Sequence, residues 1–167
     1  LWFIDRAGSD LPVWDQWWAE FETVIVRLAD DSLSLYHLAE QHNEHRLFFQ
    51  RLSTYALVTL SGRWEPRDEL VVSAFVRAAG LLIVFLALAR HQSPRIQGIL
   101  LGLLTLLGAL PVGVFNLLSG FQMQFFVAEP LTVLALAFLF LGPLNVERLA
   151  IACALLLLAL LNMATPV

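Results

Sequence analysis

The sequence predicts an all-α fold: a polytopic membrane protein fragment in which amphipathic interfacial helices precede about four transmembrane helices. Three observations carry this. The 167 residues are 59% hydrophobic and only 14% charged, and the mean hydropathy is +0.73, which places the chain in the membrane class. Charge is segregated, since residues 1–68 hold eleven of the fourteen acids and six of the ten arginines. Four long apolar runs follow that polar head. The expected organisation is therefore a head over residues 1–68 with two amphipathic helices and a helical bundle over residues 69–167.

Leu1-Trp2-Phe3-Ile4 followed by Asp5-Arg6 reads as the tail of an apolar helix emerging into water, so a preceding membrane helix is expected. Asp10 can cap the next helix with Pro12 in its first turn. Val13, Trp14, Trp17, Trp18, Phe21, Val24, Ile25 and Leu28 then recur at helical spacing. Asp15, Gln16, Glu20 and Glu22 fall on other faces. A helix with this Trp-rich stripe suits the headgroup layer, where an indole is half buried and its N–H stays wet. Asp30-Asp31-Ser32 breaks the pattern. A second helix is expected from Asn43 as N-cap, with Leu47, Phe48, Leu52, Tyr55, Ala56 and Val58 as its apolar set and Gly62 as its stop.

The apolar segments run roughly over residues 70–89, 96–118, 125–141 and 149–163. The first two reach the ~20 residues that cross a bilayer, and the last two lie near the lower limit of ~17. Strict alternation of four spans puts the head and the Ser119 to Gln124 loop on one side, with the other linkers opposite. Arg90 and Arg95 mark their linker as the cytoplasmic one, although Arg63 and Arg67 flank the other end of the same span. Gly98 and Gly102 form a GxxxG spacing, read as intramolecular helix packing. Pro111 and Gly113 predict a kink or a broken end just before Asn116. The lone Cys153 excludes an internal disulfide and suits a small-hydrophobe role.

The densest polar stretch is His42-Asn43-Glu44-His45-Arg46, where every residue can donate, accept or carry charge. Read as a helix start, it offers free N–H groups and a positive dipole end to an anion. His37, His42 and His45 with Glu40 and Glu44 offer imidazole and carboxylate ligands, but no HExxH-type spacing is present. No metal site is assigned, and a divalent cation is the one cofactor left open. Glu44 and Arg46 form a local ion pair in one reading. In the other, Arg46 with His42 or His45 holds a phosphate while Asp15 or Glu44 handles a proton. Asn116, Gln122 and Gln124 bring amide side chains to the head side, among aromatics, as carbohydrate contacts do. Arg77 and Glu129 fall inside apolar segments; they either pair with each other or line a wet path, with Glu129 about a turn deep.

Asp10-Leu11-Pro12-Val13-Trp14-Asp15, the His42 to Arg46 run with Leu47 following, Gly62-Arg63-Trp64-Glu65-Pro66-Arg67 and residues 116–125 together resemble bacterial multi-spanning membrane proteins, many uncharacterised, related to the C-type glycosyltransferases. That resemblance implies a polyprenyl-phosphate-linked sugar donor, an acidic base in the first extracytoplasmic loop and inverting transfer to an acceptor hydroxyl. It implies Asp15 as base with Asp10 second, and His42, Asn43, Glu44, His45, Arg46, Asn116, Gln122, Gln124 and Glu129 as the binding wall. It also implies a bacterial inner membrane location with the head outside. The expected partners are membrane lipid, the lipid-linked donor and the remainder of the same parent chain, with no nucleic acid. The rival reading is a non-catalytic membrane component, either a transporter half or an assembly subunit. An enzyme predicts convergence of Asp15, Glu44, Arg46, Asn116 and Gln122 on one cavity, and a transporter predicts Arg77 and Glu129 along one midplane path.

Overall fold

The computed structural model describes residues 1–43, 45–110 and 118–163. The expectations on Glu44, Pro111, Gly113 and Asn116 lie outside the described residues. The fold is mostly helical. It opens with α1 (Trp2–Ala7), then a π-helix (Trp17–Val26) that runs into a single α-turn, α2 (Arg27–Ala29), and a short helix, α3 (Leu35–Ala39). A two-stranded antiparallel hairpin follows, β1 (Gln41–His42) and β2 (His45–Arg46), with Gln41 opposite Arg46 and His42 opposite His45. The chain continues through α4 (Phe48–Ser61), α5 (Pro66–Ala89), α6 (Pro94–Ala109), a 3-10 turn (Gly120–Gln122), α7 (Met123–Phe140) and α8 (Val146–Met163).

Two expected boundaries hold for the expected reasons. The first head helix is over by Asp30, and Asp31 takes φ 57°. Gly62 closes α4 at φ 74°, its N–H bonded to the Val58 carbonyl, in the left-handed conformation that glycine adopts without a Cβ penalty. Two boundaries are corrected. The first head helix begins at Trp17, so Asp10 and Pro12 precede it and cap nothing there. The second begins at Phe48 behind Leu47, because Asn43 sits at φ 51° in the hairpin turn and cannot be an N-cap, whose backbone is extended.

Two helices, Pro66–Ala89 and the run Gly120–Phe140, are long and apolar enough to cross a membrane. Pro94–Ala109 is apolar but shorter. Phe75, Leu82, Leu86, Leu103, Leu106, Leu107, Phe140 and Leu157 are all exposed along these helices. So continuous an apolar surface calls for a cover of lipid or another protein. Helices α5 and α7 approach closely at Gly80. A Cβ there would lie 3.0 Å from Pro130 Cγ and 3.3 Å from the Phe126 carbonyl oxygen, which Pro130 frees from its helical bond. The GxxxG expectation is corrected at the same level of structure. Nothing among the described residues lies within 4 Å of a Cβ placed at Gly98 or Gly102, and the close approach of α6 is instead Gly108 against Leu81.

Candidate functional site

The head buries its polar side chains and exposes its tryptophans. Trp14, Trp17 and Trp18 are exposed, whereas Gln16, Glu20 and Thr23 are buried. This reverses the sense expected of a helix in water. A π-helix bonds N–H to the carbonyl five residues back and so widens the angular spread of side chains per turn. Gln16 and Glu20 then face inward against α4 and α5.

What receives them is a hydrogen-bond network of neutral donors. Gln16 Nε2 donates to Glu20 Oε2 (2.8 Å) and to Glu69 Oε2 (3.1 Å). Gln50 Nε2 donates to Glu20 Oε1 at 2.8 Å. Thr54 Oγ1 and Trp64 Nε1 both donate to Glu69 Oε1, at 2.7 and 2.8 Å. Glu20 Oε2 and Glu69 Oε2 share the Gln16 Nε2 donor, and both residues are essentially inaccessible to solvent. Burial raises the Glu20 carboxyl well above the usual carboxylate range. The Glu69 charge and the Glu69 hydrogen bond add to the rise, and the bonds from Gln16 and Gln50 oppose it.

Arg51, 1% exposed, is the clamp beside this network. Its Nε donates to the Ala19 carbonyl (3.1 Å), and Nη1 donates to the carbonyls of His37 (2.9 Å) and Glu40 (2.6 Å). The last two belong to the open end of α3, so one guanidinium both caps that helix and ties it to the π-helix. Burial lowers the Arg51 pKa, which the Glu40 and Glu20 charges partly restore.

Above the network, three separate segments meet around His42. The Asp15 carboxylate acts on the His42 ring electrostatically, His45 faces it across the hairpin, and Phe121 packs edge-on against it with centroids 5.9 Å apart. Desolvation holds the His42 pKa below its usual value, and Asp15 pulls against that while Arg51 and His45 reinforce it. Phe121 is held by the apolar cluster it forms with Ala19 and Leu47. The backbone of Gly120 rests on Glu69 and Gln16, where a Cβ would come within 2.7 Å of Glu69 Cβ. The Ser119 to Gln124 loop therefore lies at the head end of α5, as alternation of spans predicts. Among the described residues, His42 Nε2, His45 Nδ1 and Gln122 Oε1 are buried with no hydrogen-bond partner.

Other expected site residues are placed elsewhere. Asp10 pairs with Arg67 Nε at 3.0 Å on the exposed surface. Arg46, exposed, donates to the Ala39 carbonyl at 3.3 Å. The Asn43 carbonyl accepts from Gln41 Nε2 within the hairpin turn. Gln124 is buried in the bundle, its carbonyl accepting from Asn162 Nδ2 at 3.0 Å. His37 has both ring nitrogens engaged, Nδ1 by Ser34 and Nε2 by Arg27, and is removed from the histidine pair. Among the described residues no group of three His, Cys, Asp or Glu side chains is placed to hold a metal ion.

Glu129 lies in the first half of α7. It lies six residues beyond Met123, roughly 9 Å along the helix at 1.5 Å per residue, next to the Gly80–Pro130 crossing. With Arg77 it lines a cavity of about 500 Å³ between α5, α6 and α7. The Arg77 guanidinium donates to the Leu107 carbonyl (3.3 Å) and lies over the Phe126 ring (5.3 Å). A second cavity of about 790 Å³, almost wholly apolar, runs between α1, α5 and α6 and also reaches Arg77. Neither cavity includes Asp15, His42, His45 or Gln122.

The buried Glu20–Glu69 pair was not singled out from sequence. Its signals were Gln16 and Glu20 four residues apart, Gln50 and Thr54 four residues apart, and Glu69 as a rare acid at the threshold of an apolar run. Comparison with family models, with curated proteins and with solved structures finds no match to this chain.

Proposed function

We propose that this chain forms part of an integral membrane glycosyltransferase that moves a sugar from a polyprenyl-phosphate donor to an extracytoplasmic acceptor hydroxyl. The observation that carries the reading is the meeting of Asp15, the His42–His45 pair and the Phe121–Gln122 turn at the head end of two long apolar helices. In this reading Asp15 accepts the acceptor proton. His42, His45 and Gln122 bind phosphate or sugar through the nitrogens and oxygen that lack partners among the described residues. Helices α6 and α8, with their exposed leucines, complete four spans. The Arg90 to Arg95 linker, at the far end of α5 from the head, faces the cytoplasm of a bacterial inner membrane. Asp10, paired with Arg67, takes a lesser part than Asp15.

The test is transfer from a radiolabelled polyprenyl-phosphate sugar in membranes carrying the protein. Asp15→Asn is expected to lower turnover by ~100-fold to 10,000-fold, as loss of a general base does, with expression unchanged. Turnover equal to wild type in Asp15→Asn removes Asp15 from the mechanism. One observation favours the non-catalytic reading, in which the chain is a transporter half. Arg77 and Glu129 share a cavity within the apolar helices. That reading predicts solute flux lost in Glu129→Gln and retained in Asp15→Asn.

A further inference from the structure

We propose that Glu20 and Glu69 together hold a single proton, and that this shared proton fastens the head to the first long apolar helix and seats the Gly120–Gln122 turn beneath His42. The proposal does not depend on the transferase reading. Every carboxylate oxygen of the pair is reached by a neutral donor: Gln50 on Glu20 Oε1, Gln16 on Glu20 Oε2 and Glu69 Oε2, and Thr54 and Trp64 on Glu69 Oε1. No guanidinium contacts either carboxylate among the described residues, where the two ion pairs are the exposed Arg63–Glu65 and Arg67–Asp10.

Two ionised carboxylates buried against one shared amide donor repel, and Arg51 is engaged on carbonyls rather than on either of them, so one proton shared by the pair removes the repulsion. The donors fix where it sits. Glu69 receives three of the five donated bonds and can bear the remaining charge, leaving the Glu20 hydroxyl to donate to it. The ionisable groups facing Glu20 are Glu69 from α5 and, from α4, Arg51, whose guanidinium binds the neighbouring Ala19 carbonyl. Glu40 and Arg27 act on Arg51 from the other side, and the Gly120–Gln122 turn brings no ionisable group.

Structurally, the pair is the junction. Glu20 belongs to the π-helix, Gln50 and Thr54 to α4, Trp64 to the linker and Glu69 to the first turn of α5. Gly120 lies against Glu69 with no room for a Cβ. Loss of the proton therefore separates the head from α5 and frees the floor on which Phe121 meets His42.

Thermal unfolding of the purified protein in detergent, followed between pH 5 and 9, tests this. Above the ordinary carboxylate range the wild-type midpoint is expected to fall with rising pH, by roughly 3 to 5 °C per pH unit for one proton. E20Q, whose amide can donate to Glu69 as the acid does, is expected to lose that slope and to exceed wild type at the alkaline end. Parallel slopes in the two proteins overturn the proposal. Should E20Q not fold, infrared spectroscopy of the E129Q protein with ¹³C-labelled glutamate decides. A protonated glutamic carboxyl band at pH 7 supports the shared proton, and its absence overturns it.

Discussion

Replacing Arg51 by methionine isolates what the clamp contributes. The side chain is buried and methionine matches it as far as Nε, so packing along its stem is largely kept while three carbonyls, of Ala19, His37 and Glu40, lose their donor. Each buried acceptor stripped of its partner costs about 1 to 3 kcal/mol. Removing the guanidinium also relieves its own desolvation, so the three penalties do not add in full. A net loss of roughly 3 to 5 kcal/mol remains, which at about 2 to 4 °C per kcal/mol for a chain of this size lowers the melting midpoint by roughly 6 to 20 °C. The assay is thermal unfolding in detergent at pH 7. Limited proteolysis across residues 34–46, the segment the guanidinium holds, should open alongside. Arg51→Lys keeps the charge and loses the fork, so it should fall between the two. A methionine variant melting within about 2 °C of wild type, with that segment still protected, would refute the clamp.

Two further outcomes follow from the same geometry. Gly120→Ala drives a Cβ to 2.7 Å from Glu69 Cβ and 2.9 Å from its Oε2. It should cost about 1 to 3 kcal/mol by overpacking, whereas Gly98→Ala, which meets nothing within 4 Å among the described residues, should be neutral or stabilising; paired thermal melts check the contrast. His42 has a pKa held below its unfolded value of about 6.5, chiefly by desolvation. Its neutral ring therefore adds stability that is complete above that value and is lost as pH falls towards the lower folded pKa. His42→Gln should steepen the fall of the melting midpoint with rising pH across that acidic window, where the wild-type ring opposes the Glu20–Glu69 contribution, and an NMR titration placing His42 at or above the usual value would remove the effect.

How far the sequence could be read depended on whether a feature was local. Gly62 ended α4 because one residue's backbone freedom decides a helix end, and Asp30 and Asp31 ended the first head helix for the same kind of reason. The hairpin at Gln41 to Arg46 was misread as a helix start, since two-residue strands are too short to show a period of two. His42 and His45 face each other there as cross-strand partners. The GxxxG pair failed because spacing specifies a face without specifying a neighbour. Gly80, outside any such motif, makes the close contact because Pro130 stands opposite it. Glu20 was invisible as a buried acid because Gln50, one of its two donors, and Glu69, which shares its Gln16 donor, lie far along the chain, and no local pattern records that company.

The inversion of the head has a consequence for where chemistry can occur. Amphipathic patterning assigns polar residues to water, yet Gln16 and Glu20 are dry and Trp14, Trp17 and Trp18 face outward. Tryptophan at the outer surface is poorly placed in water and well placed among lipid headgroups. A carboxylate hidden in a saturated network cannot reach a substrate. Asp15 is partly exposed, at the border between the buried network and the outward tryptophans, and its charge acts on the His42 ring, one nitrogen of which no described residue engages. Glu20 and Glu69 are thus withdrawn into the frame of the head, whereas Asp15 stands partly open to its surface.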